Sequence, residues 1–229
     1  MSRESTAALA QTDVISLHTP AGRPLRWGAV IAHIFSGAVR AITDVRGRWV
    51  DCAPVDKRRI YFANHTSHLD FLLLWSALPG PLRRTIQPVA ACDYWRRCVI
   101  RSYLAERVFH SIFVERGEAA LTSNPAAPML DALQHGKSLI VFPEGTRGRG
   151  EKLLPFKTGL FHVAREIPAI ELVPVWIANA HRVMPKGTLL PIPMLCTVTF
   201  GPPTHIEDEE EKPEFLDRLR QHLLRLSTV

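Results

Sequence analysis

Between residues 27 and 42 the apolar positions recur in three- and four-residue steps. Trp27, Val30, Ile31, Ile34, Phe35, Ala38, Val39 and Ile42 form one unbroken helical stripe. His33, Ser36, Gly37 and Arg40 lie off it. Two packings satisfy this pattern. The helix packs on a core, or it lies in a membrane interface with Trp27, Arg23, Arg26 and Arg40 at headgroup level. After residue 45 the period changes. β-rich runs at 59–63, 111–114, 138–142, 170–177 and 195–200 alternate with helical patterns near 67–77, 93–105, 125–135 and 159–166. That alternation predicts an α/β fold, a single-domain α/β sandwich on a largely parallel, mixed sheet with an N-terminal amphipathic helix. Pro213 followed by Phe215, Leu219, Leu223 and Leu226 predicts a closing C-terminal helix. The expected division is an N-terminal segment, 1–45, carrying the membrane-interface helix, and one domain over 46–229.

Composition supports this picture and narrows the partners. With 229 residues and 46% apolar content the chain can bury a large core. Cys52, Cys92, Cys98 and Cys196 are too few and too scattered for a disulfide framework, and no CxxC pair suggests zinc. Residues 207–229 hold seven acids and four bases, so the remainder carries a net charge of +9. A basic body looks for nucleic acid, a membrane surface or a phosphorylated small molecule. The acidic run Glu207–Glu211 has no role that the sequence discloses. Gln11, Asp13 and His18 interrupt any apolar core of a signal peptide, and no run reaches the roughly 18 apolar residues of a membrane-spanning helix.

The first candidate chemistry follows the strand at 59–63, in Asn64-His65-Thr66-Ser67-His68-Leu69-Asp70. On a continuous helix, five steps of about 100° would leave His65 and Asp70 about 140° apart. They meet only if His65 sits in the loop and Asp70 in the first helical turn. Ser67 as N-cap, with Asp70 three residues on in the manner of a capping box, predicts that break. A histidine held by a carboxylate is the arrangement of a general base. The plainer readings are a helix-capping Asp70, or a metal set of His65, His68 and Asp70 that no further Cys/His cluster supports. With no GxSxG elbow to supply a serine nucleophile, direct attack by a substrate hydroxyl fits best.

The second lies in Pro143-Glu144-Gly145-Thr146-Arg147, after the strand at 138–142. A glycine-containing loop with Thr and Arg offers N–H groups, a hydroxyl and a guanidinium to phosphate, although it lacks the Walker spacing. The plainer reading is a solvated basic turn. Arg116, after Phe113-Val114-Glu115, and Lys157, opening the helix at 159–166, could converge with Arg147 on one phosphate.

Asn64-His65-x-Ser67-x-x-Asp70, Phe113–Gly117, Phe142–Arg147 and Val173-Pro174-Val175-x-Ile177 together resemble the four ordered blocks of the glycerolipid acyltransferase family. They span about 59–205, and the closest branch is that of the lysophosphatidic acid acyltransferases. The second block departs from the family in having His110-Ser111 before its strand. The resemblance implies an acyltransferase domain over 46–229 and an O-acyltransferase of phospholipid biosynthesis. His65 would take the proton of the acceptor hydroxyl, with Asp70 orienting it. Attack on the thioester of acyl-CoA or acyl carrier protein would follow, without a covalent intermediate. Arg116, Glu144, Gly145, Thr146 and Arg147 would form the site for the acceptor phosphate, assisted by Lys157, with Glu144 organising the loop. Val173–Ile177 would help shape the acyl pocket. No metal and no bound cofactor are implied. The expected partners are a lysophospholipid, an acyl thioester donor, which acyl carrier protein could supply, and the cytoplasmic face of a membrane, with peripheral or monotopic association; nucleic acid is not expected. The alternatives are another lyso-lipid or glycerol 3-phosphate as acceptor, or a non-catalytic module binding anionic lipid.

Overall fold

Seven strands, running between helices on both faces, carry the alternation read above into one mixed sheet. The computed structural model describes residues 26–95, 98–115, 124–148, 152–183 and 194–228. The strands are β1 (Arg46–Trp49), β2 (Arg59–Ala63), β3 (Ile86–Ala91), β4 (Ile112–Val114), β5 (Ser138–Val141), β6 (Glu171–Ala178) and β7 (Thr197–Phe200), ordered β1-β7-β6-β2-β5-β3-β4. Every neighbouring pair is parallel except β6–β7. The expected α/β sandwich on a mixed sheet is the observed fold.

The central strands β2 and β5 are buried throughout, as near-continuous apolar runs must be when helices cover both faces of a parallel sheet. Alternate residues feed opposite layers. Tyr61 and Ala63 point to the layer holding α1 (Arg26–Thr43) and α2 (Asp70–Ala77). Ile60 and Phe62 meet α3 (Ala127–Gln134), α4 (Gly159–Glu166) and α5 (Lys212–Leu226). In α5, Phe215, Leu219 and Leu223 are fully buried, at about 1.5–3 kcal/mol each on transfer.

β1 and β3 were not expected from the sequence. β1 is an exposed, charged edge strand, held by backbone pairing to β7 and by Trp49 stacked on Phe200 at 3.9 Å. β3 contains Pro88, which cannot donate to a ladder. Its pairing passes there from β5, at Ile86–Pro88, to β4, at Val89–Ala91. The single helix expected at 93–105 is instead Cys92–Trp95, Val99–Tyr103 and a wide turn, Leu104–Val108. Phe109 N–H donates to the Leu104 carbonyl across that turn (3.0 Å), and the ring enters edge-on to Phe71 and Trp75.

The structure turns α1 away from the expected stripe. Of the stripe's described residues only Val39 is buried, Ile31 and Phe35 are half-buried, and Val30, Ile34 and Ile42 are 46%, 65% and 36% exposed. The face packed inward runs instead through Ala32, Ser36, Val39 and Thr43. Arg23 and the side chains of Arg26 and Trp27 lie outside the described residues. The acidic run also acquires a partner. Arg218 of α5 grips both oxygens of Glu210 at 2.7 Å, and donates to Thr204 Oγ1 and the His205 carbonyl at 2.8 Å. Glu207 Oε1 also lies 3.5 Å from Arg218 Nε, so two acids of Glu207–Glu211 help fasten α5 to the strand-side loop.

Candidate active site

β2 ends at Ala63, and Asn64 takes over the ladder with its side chain. Its amide donates to the Ile177 carbonyl (3.0 Å), and its Oδ1 accepts from Ile177 N–H (2.7 Å). The main chain is thereby free to turn out of the sheet at His65. His65 Nδ1 lies 2.8 Å from Asp70 Oδ2, and Asp70 is fully buried. A carboxylate only accepts, so Nδ1 carries the proton and Nε2 keeps its lone pair. The ring stacks on Phe142 (centroids 4.4 Å apart), which fixes its plane.

Half of the expected capping box forms: Asp70 Oδ2 accepts the N–H groups of Ser67 (2.8 Å) and also of Thr66 (2.5 Å), while Leu69, not Ser67, occupies the N-cap. Asp70 thus holds the loop and the imidazole together. Ser67 Oγ accepts only from Leu69 N–H (3.3 Å). No group of three or more His, Cys, Asp or Glu positioned to hold a metal ion occurs among the described residues.

Glu144 turns inward. It is 2% exposed, with Oε1 accepting His65 N–H (2.7 Å) and Oε2 accepting Leu154 N–H (2.8 Å). Burial raises its pKa above the usual carboxylate range, partly offset by those two N–H groups. Within the loop expected to hold phosphate, Glu144 has the geometry of an organiser: both oxygens hold backbone, one on each side of the loop, and neither is left for a ligand. His65 O in turn accepts Gly148 N–H (2.8 Å), locking the two motif loops to each other. Gly145 has φ +68°, and a Cβ there would meet Lys157 Cγ at 3.1 Å.

A cleft of about 310 Å³ opens at the C-terminal ends of β2, β3 and β5, the usual location for a site on a parallel sheet. His65, His68, Gly145, Thr146 and Arg147 line its polar end. Phe71, Val89–Ala91, Trp95, Val114 and Phe142 line an apolar remainder. Arg147 Nη1 donates to His68 Nε2, so the two loops also meet through side chains. Lys157 is exposed and its stem covers Gly145; it is not among the cleft-lining residues. Arg116 and Gly117 lie outside the described residues. Val173–Ile177 is buried strand β6 and supplies none of the lining; the apolar wall of the cleft comes instead from β3, Phe71 and Trp95. Those wall residues carry no motif, though the C-terminal end of any strand beside β5 is where a site would be sought.

Fold and site define an α/β protein with a His–carboxylate pair facing a half-apolar cleft at the C-terminal ends of the parallel strands of a mixed sheet. The chain belongs to the Acyltransferase family, whose sequence model matches residues 45–178. It is 32% identical over 195 residues to a 1-acyl-sn-glycerol-3-phosphate acyltransferase of Limnanthes douglasii, covering 80% of this chain and 63% of that protein. The protein of the same name from Haemophilus influenzae is 30% identical over 134 residues, 54% of this chain and 49% of that one. The chain thus spans a little under two thirds of the Limnanthes protein's length. In fold it is similar to PlsC, the 1-acyl-sn-glycerophosphate (LPA) acyltransferase of Thermotoga maritima (TM-score 0.69, 21% identity, 88% of this chain and 80% of that one).

Proposed function

We propose that this protein is an O-acyltransferase that moves a fatty acyl group from a thioester, acyl-CoA or acyl carrier protein, to the free hydroxyl of 1-acylglycerol 3-phosphate. The observation that carries this reading is the 2.8 Å His65–Asp70 pair opening on a cleft with Arg147 at its polar end. His65 Nε2 takes the proton of the acceptor hydroxyl as its oxygen attacks the thioester carbonyl. Asp70 steadies the imidazolium. The tetrahedral intermediate collapses, the C–S bond breaks, and His65 returns the proton to the departing thiolate. Arg147 and Thr146 hold the acceptor phosphate by charge-assisted hydrogen bonds, and the apolar walls take an acyl chain. The names of the relatives support the acceptor class. Among the described residues no helix is long and apolar enough to cross a membrane. The exposed Val30, Ile34 and Ile42 support docking on a membrane surface through α1, which the proposal assigns to the cytoplasmic face.

The test is an acyl-transfer assay on the purified chain with both donor types and a panel of acceptors. His65→Ala lowers turnover on every acceptor by about 10²–10⁴-fold while leaving the fold intact. Turnover near the wild-type rate in that variant removes the general-base assignment.

A further inference from the structure

Two arginines meet where α1 packs against α2, with no carboxylate beside them. Arg40 of α1 donates from Nε and Nη2 to the Ser76 carbonyl at 3.2 and 2.6 Å. Arg83, at the end of the short helix Gly80–Arg83, donates from Nη1 to Ser36 Oγ at 3.0 Å, one turn before Arg40 on α1. The Arg83 guanidinium also lies 5.1 Å from the ring centroid of Trp75. Its Nε–H is buried and has no acceptor among the described residues. Neither arginine enters an ion pair among those residues. Burial, and then the charge of Arg40, push the Arg83 pKa down.

A half-buried guanidinium beside a second one is unfavourable unless an anion neutralises them. Guanidinium forks match the oxyanions of phosphate in pairs. The position of the pair indicates where such a phosphate comes from. At 100° per residue, Arg40 stands about 80° round α1 from Val30. Val30 and Ile34 are exposed on the outward side of α1, Arg40 is exposed on its flank, and Arg83 meets α1 beside that flank at Ser36, itself only 4% exposed. An apolar face with cations at its edge is how an interfacial helix meets acyl chains and headgroups together.

We propose that Arg40 and Arg83 form a binding site for the phosphate of an anionic phospholipid, separate from the catalytic cleft, in the surface on which α1 lies. The site rests on the membrane-docking reading above and gives it a lipid class.

The experiment measures partition of the full chain onto phosphatidylcholine vesicles, with and without phosphatidylglycerol. Arg40→Lys/Arg83→Lys keeps both charges and removes both planar forks. It is expected to bind phosphatidylglycerol vesicles about fivefold more weakly, because an ammonium cannot pair two phosphate oxygens as a guanidinium fork does. Binding to phosphatidylcholine alone stays unchanged. Since Arg83 is half-buried, Arg40→Lys alone, at an exposed side chain, repeats the test, and thermal melting reports folding. Full binding of both lysine variants to phosphatidylglycerol vesicles overturns the site, because charge alone then suffices. Ile34→Glu separates the two readings: it weakens binding to both vesicle types, and unchanged binding there overturns docking through α1 and this proposal with it. Inorganic phosphate is the remaining arm. If it raises the melting temperature of the wild type but not of the lysine pair, while vesicle binding is equal in both, the ligand is free phosphate and the lipid assignment is overturned.

Discussion

Replacing Glu144 with glutamine separates a loop-holding role from a phosphate-holding one. The native carboxylate accepts two backbone N–H groups, from His65 at 2.7 Å and Leu154 at 2.8 Å. Glutamine has one carbonyl oxygen and one NH₂ in the same space. Whichever way it turns, a donor faces a donor, and one buried N–H is left unsatisfied. That costs about 1–3 kcal/mol. Relief of the burial that raises the native pKa offsets part of it. A net destabilisation of about 1–2 kcal/mol follows, readable as a lower urea midpoint with an unchanged slope. If the amide displaces the His65 N–H, the imidazole backs away from the acceptor hydroxyl. Misplacement by about 1 Å costs up to about 100-fold in rate. Initial rates against acceptor concentration should therefore show kcat reduced about 10–100-fold with KM within about twofold. A variant with native kcat whose loss lies wholly in acceptor KM would refute the reasoning and return Glu144 to the phosphate site.

Two further substitutions probe the scaffold. Gly145→Ala places a side chain at φ +68° and 3.1 Å from Lys157 Cγ. A loss of about 1–3 kcal/mol in thermal or urea unfolding is expected, and a neutral result would mean that the turn relaxes freely. Arg218→Gln removes the partner that, through its hydrogen bonds, holds the Glu210 carboxyl below its usual range. A depressed folded pKa contributes stability above the unfolded value of about 4.3 and loses it as pH falls through the folded value. The variant should melt below wild type at neutral pH, with the gap closing as pH drops beneath that value. A gap of constant size down the acid limb would show that the pair's charge does not matter.

The sequence discloses what depends on neighbours along the chain and hides what depends on neighbours across it. The fully apolar β2 and β5 and the strong periodicity of α4 are visible because burial dictates every residue in them. β1 is hidden because Arg46-Gly47-Arg48 has no buried face; only the β7 backbone makes it a strand. β3 is hidden by Pro88, which marks a switch of partner rather than a break. His65 and Asp70 are legible because their five-residue spacing excludes a continuous helix. A loop-organising Glu144 is legible too, since a carboxylate would repel phosphate, but its partners His65 and Leu154 are not, standing 79 and 10 residues away in sequence. The same distance separates Arg147 from His68. The acidic run looked functionless until Arg218, eight residues beyond Glu210, closed onto it.

One short helix joins the two halves of the proposed function. α2 begins with Asp70, which holds His65, and its last turn contains Ser76, whose carbonyl accepts Arg40 of α1. Six residues at 1.5 Å each put these ends about 9 Å apart along the axis. Between them, Leu73 and Leu74 are fully buried, and Phe71 and Trp75 both meet Phe109, so α2 is held along its length. α2 thus links His65, the proposed general base, directly to the helix proposed to lie on lipid. On the proposed function, a lipid acceptor would have to lift its hydroxyl and phosphate out of the headgroup layer to reach His65. A rigid α2 keeps that height constant, and the headgroup site at Arg40 and Arg83 would fix it against the same surface. Weakening the α1–α2 contact should therefore impair turnover of membrane-borne acceptors more than that of short-chain, water-soluble ones.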